Sequence, residues 1–111
     1  MKRLLIAAML FATPAMAEFK PDPNGWRVKA IEDLKSFYGA NIAVHILWSR
    51  EDRLLLVRKD TGFEQNTLAN ALCANLENSG KPDGEWVFID IIDQVSAAQQ
   101  IEKRLGKARC Q

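Results

Sequence analysis

Few side chains in this sequence could carry bond-making chemistry, and their spacing limits what they could do. His45 is the only histidine among 111 residues. A histidine base needs a nucleophile to activate and a third group to orient it. A zinc site needs three or four clustered nitrogen, sulfur or oxygen donors. Around His45 the chain reads Asn41-Ile42-Ala43-Val44-His45-Ile46-Leu47, with neither cysteine nor carboxylate. Ser36, Ser49, Ser79 and Ser96 sit in no G-x-S-x-G or S-x-x-K arrangement, the patterns that place a serine beside its activating groups. Asp90 and Asp93 end an apolar run, and carboxylates at a strand end can bind metal or exchange protons. No calcium-loop spacing surrounds them. The plainer expectation is that Asp90 pairs with a base or faces solvent, and that Asp93 opens a turn. His45 with Asp90 or Asp93 is the one enzyme-like set, and it would suit a small hydrolase. Neither a metal nor an organic cofactor is expected.

Three further groups call for placement. Trp26, Trp48 and Trp86 suit core packing first, and aromatic anchors of a binding surface second. Cys73 and Cys110 allow one intramolecular pairing, and in an oxidising compartment a disulfide is expected. Lys103, Arg104, Lys107 and Arg109 crowd the C-terminal end of what reads as a last helix, where cations complement the helix dipole.

The elements that must hold these groups follow from periodicity. Glu18 to Asn24 contains two prolines and no period, a lead-in with Asp22, Pro23 and Asn24 as capping candidates. Val28, Ile31, Leu34 and Tyr38 recur at helical spacing, with Gly39 as a stop. Ile42, Val44, Ile46 and Trp48 alternate as a strand, and Leu54 to Val57 forms a second strand after a short polar link, most simply a hairpin. Asp60-Thr61-Gly62 offers caps for a helix carrying Leu68, Leu72 and Leu76, to about Asn78. A turn-rich stretch over 79–84 follows. Trp86 to Ile92 reads as an inner strand, with Trp86, Phe88 and Ile89 anchoring the core. Ser96-Ala97-Ala98-Gln99 fits a capping box, opening a last helix with Ile101 and Leu105 on its apolar face. The expected fold is α+β in the order α-β-β-α-β-α, with a three-stranded sheet ordered 2-1-3.

The N-terminus bounds the compartment. Lys2-Arg3, an apolar stretch from Leu4 to Ala12, and Ala15-Met16-Ala17 are the basic, hydrophobic and A-x-A parts of a cleavable export signal. Its apolar stretch is too short to span a membrane, which takes about 20 residues. Residues 1–17 are therefore expected to be removed between Ala17 and Glu18, leaving a single exported domain over 18–111 with no stable membrane anchor. Without Lys2 and Arg3 the chain has 13 basic and 14 acidic residues, and its charges interleave, as in Arg50-Glu51-Asp52-Arg53. That balance argues against a nucleic-acid partner. The function expected from these features is that of a small exported, non-enzymatic binding or accessory protein. It would reside in a bacterial periplasm, with full secretion as the other destination, and act on another envelope or extracellular protein. A secreted hydrolase, and an inhibitor, immunity or host-directed effector protein, are the alternatives.

Overall fold

Leu54, Leu55, Leu56 and Val57 are consecutive and all buried, so the strand they form has no solvent face. A strand buried on both sides must lie inside a sheet, and the architecture follows from that. The computed structural model of the protein describes residues 18–38, 45–94 and 103–111. Its elements are helix α1 (Trp26–Tyr38), strands β1 (His45–Arg50) and β2 (Arg53–Arg58), helix α2 (Asn66–Asn78), and strands β3 (Val87–Asp93) and β4 (Arg104–Cys110).

Among the described residues the sheet has four strands in the order β1-β2-β3-β4. β1 and β2 pair antiparallel, with Leu47 opposite Leu55 and Trp48 opposite Leu54. β2 and β3 run parallel, Arg53 facing Phe88 and Leu55 facing Asp90. Parallel neighbours need a crossover connection, and α2 provides it. β4 returns antiparallel along the other side of β3, Phe88 facing Arg109 and Asp90 facing Lys107.

Both helices contribute to one core. Ala30 and Leu34 of α1, and Ala69, Leu72 and Leu76 of α2, cluster with Trp48, Leu54, Leu56, Val87, Ile89, Ile91, Leu105 and Cys110. Removing that much apolar surface from water is the main driving term for a domain of this size. Leu55, Val57 and Ile92 form a smaller cluster with Leu47, through the opposite side of the strands.

The free edge of β4 is closed by the start of α2. Gln65 N–H donates to the Leu105 carbonyl at 3.0 Å, and Lys107 N–H donates to Asn66 Oδ1 at 2.9 Å. The two backbones meet at Gly106, where an added Cβ would lie 2.6 Å from the Gln65 carbonyl. Only glycine fits that approach. Cys110 at the end of β4 bonds to Cys73 of α2, a disulfide with Cα atoms 5.3 Å apart. The expected cysteine pairing is thus present, although a strand and not a helix brings Cys110 to it.

Several expectations are corrected. The sheet has four strands and the order 1-2-3-4, in place of three in the order 2-1-3. The segment expected to finish a last helix, over 104–110, is a strand, so its cations cannot complement a helix dipole there. The capping box at Ser96 lies outside the described residues, as do Gly39, Ile42, Val44 and the export signal. α2 starts after Asp60-Thr61-Gly62. Asp60 Oδ1 instead caps a turn by accepting from Gly62 N–H, and Glu64 Oε1 accepts from Asn66 N–H at 2.9 Å. Finally, Phe88 is only half-buried, because Val87, Ile89 and Ile91 take the core side of β3.

Candidate functional site

The side of β3 turned away from the main core carries Phe88 and Asp90, and the neighbouring strands surround them with cations. Register puts Arg53 of β2 and Arg109 of β4 on either side of Phe88, and Lys107 beside Asp90. Arg104, one turn of the pleat further along β4, reaches back to the same carboxylate. Together Arg53, Phe88, Asp90, Arg104, Lys107, Ala108 and Arg109 line an open groove of about 510 Å³.

Asp90 is the pivot. Its side chain is 9% exposed, and a carboxylate taken out of water must be compensated by partners. Arg53 Nη1 donates to Oδ2, and Arg104 Nε lies 3.2 Å from Oδ1. One acid therefore holds two guanidiniums side by side. Arg53 also lies over the Phe88 ring, 5.4 Å from its centroid, and Arg109 lies 4.7 Å over the Trp86 ring. A cation over an aromatic face gains from the ring quadrupole and loses conformational freedom. A guanidinium stacked in this way keeps its N–H edge for a planar, two-oxygen acceptor. Lys107 is exposed and makes no ion pair among the described residues. Four cations against one carboxylate make the groove strongly positive, on a chain whose charges otherwise nearly balance.

The enzyme-like set is not brought together. His45 is exposed at the start of β1, level with Val57 and, one strand further, Ile92. Asp90 lies in the row of Leu47 and Leu55. Two inter-strand spacings, about 10 Å in all, and two residues along the strand separate them, well beyond a hydrogen bond. Asp93 is buried at the end of β3, opposite Arg58, and its N–H donates to the Lys103 carbonyl at 2.9 Å. Lys103 Nζ pairs with Asp60 at 2.8 Å. That bond raises the Lys103 pKa and, with the Gly62 N–H, holds Asp60 below its ordinary range. No group of three or more potential metal ligands occurs among the described residues.

The tryptophans divide. Trp48 is 2% exposed, its indole N–H donating to the Arg27 carbonyl at 3.1 Å, and Trp26 meets it edge-on at 5.5 Å. Trp48 thus has no surface to offer a partner. Trp86 is 42% exposed, beside the cationic groove. Among the serines, Ser79 Oγ donates to Asp33 at 2.7 Å and Ser49 faces the Arg53 carbonyl. The Asp33 carboxylate that Ser79 meets is also held by Lys29, 2.7 Å away.

Arg53, Phe88, Arg104, Lys107 and Arg109 were not singled out from sequence as one site. A signal for part of it existed. In Lys107-Ala108-Arg109-Cys110 polar and apolar residues alternate with period two, the mark of a half-buried strand. No protein-family model, curated protein or solved structure matches the chain.

Proposed function

We propose that the protein is a small exported binding or accessory protein, without catalytic activity of its own, that contacts another envelope protein through the cationic side of its sheet. The observation that carries this reading is the convergence of Arg53, Arg104, Lys107 and Arg109 around Asp90, with Phe88 and Trp86 beneath two of them. Ordered cations next to an exposed tryptophan have the composition of an interaction hot spot, where Arg and Trp are enriched. Export is supported by the signal-like residues 1–17 and by the Cys73–Cys110 disulfide, a bond that persists in oxidising compartments. Binding is favoured over hydrolysis because Asp90 is already engaged by two arginines while His45 stands strands away. Inhibition or immunity would be forms of the same contact, told apart by the partner.

An aromatic photo-crosslinking residue at position 86, which keeps a ring beneath Arg109, is compared in intact cells with one at the exposed Phe37 of α1 to test the reading. A discrete protein adduct from position 86 and none from position 37 is the expected outcome. Adducts only from position 37, or none from either, would overturn it.

A further inference from the structure

We infer that the groove takes an extended acidic peptide segment, its carboxylates on alternate residues, from the partner protein. This rests on the groove being the contact surface. Three observations select that ligand. The first is spacing: Lys107 and Arg109 are two residues apart on one strand, about 7 Å, and alternate side chains of an extended peptide repeat at the same distance. Carboxylates at positions i and i+2 of such a peptide meet both cations at once, and a third reaches the Arg53–Arg104 pair over Asp90.

The second is what already occupies the aromatic rings. Single-stranded nucleic acid binds by stacking bases on open aromatic faces. Here Arg53 lies over Phe88 and Arg109 over Trp86, so each ring presents a guanidinium where a base would stack. A stacked guanidinium keeps its in-plane N–H edge free of the ring, as two-oxygen recognition of carboxylate requires. The third is Asp90 itself. A buried carboxylate in the floor offsets part of the positive field and suits a ligand that meets a few fixed cations in register. A membrane surface recruits by summed charge near the lipid headgroups, and Asp90 lowers that sum.

The test is direct binding to the purified, disulfide-bonded protein, followed by fluorescence anisotropy of a short labelled peptide that alternates Glu with Ser. Its Gln-for-Glu counterpart, an oligothymidylate and anionic phosphatidylglycerol vesicles are measured in parallel. The Glu peptide should bind at least about tenfold more tightly than the Gln peptide, the size of one or two charge-assisted hydrogen bonds. Lys107→Gln and Arg109→Gln should each weaken it about tenfold, whereas Lys35→Gln, in α1, should not. Both groove positions are exposed, so unchanged thermal unfolding serves as the folding control. Equal binding of the Glu and Gln peptides, or tighter binding of oligothymidylate or vesicles, would overturn the inference. Crosslinking from position 86 keeps the two claims apart. An adduct mapped to a non-acidic segment of a partner sinks the peptide assignment and leaves the contact surface standing, while absence of any adduct from that position sinks both.

Discussion

Asp90 shows how a single residue can define a surface. Its carboxylate is nearly dry, so the two guanidiniums on it have a structural role, whatever else they meet. Arg53→Met should destabilise the protein by about 1–3 kcal/mol, because one oxygen loses its partner while Arg104 still covers the other. Replacing Asp90 by Leu in the same chain should recover most of that loss, since exchanging buried charges for apolar groups is often neutral or better. Urea unfolding of the single and double variants measures both. A double variant less stable than Arg53→Met would show that the pair, and not the stranded charge, carries the energy. Asp90 and its run were legible in the sequence, and so was pairing with a base. The identity of the bases was not, because Arg53 and Arg104 are 37 and 14 positions away and only register joins them.

At the scale of elements, β4 decides what the groove is. The sequence around it reads as helix because Ser96 to Gln99 fits a capping box and Ile101 and Leu105 are four apart, whereas strand alternation is clear only over the last four residues. The order of the sheet is hidden in the sequence for a related reason. The α2 connection can deliver β3 to either side of the hairpin, and the choice is settled by burial: Leu54 to Val57 is apolar on both faces, which an edge strand cannot be. Docking of β4 on α2 depends on Gly106. Gly106→Ala places a methyl group against the Gln65 backbone, which cannot swing away as a side chain could. A cost of about 1–3 kcal/mol is expected from such overpacking, measurable by denaturant unfolding, and no loss would mean the two backbones are further apart. The helices have their own clip. Asp33 of α1 accepts from Lys29 Nζ and from Ser79 Oγ, which closes α2, and these bonds hold its pKa below 3.8. A lowered folded-state pKa gives stability that is present above the unfolded value and fades as pH falls through the folded one. Asp33→Asn should therefore flatten part of the acid side of the stability profile below about pH 4, and an unchanged acid limb would argue against the clip.

Over the whole molecule, the disulfide ties together the fold and the groove. It closes the segment from Cys73 to Cys110 and fixes the end of the strand that supplies Arg104, Lys107 and Arg109. Chain entropy over that loop corresponds to about 4 kcal/mol, a large share of the 5–15 kcal/mol that holds a small domain together. Cys110→Ser should lower the unfolding free energy by about that amount, and reduction should weaken anionic ligands more than it loosens α1. A variant as stable as the parent would show that β4 is held without the bond. The cysteine pairing was legible because two thiols leave one choice. The surface it supports was not, since its cations come from two strands of the sheet.

The proposed contact surface is the cationic side of the sheet. The most direct test is photo-crosslinking in intact cells from position 86, with and without Lys107→Glu and Arg109→Glu together. A discrete adduct that disappears on charge reversal, while the unfolding midpoint stays the same, is the expected result. An adduct that persists unchanged through the reversal would contradict it.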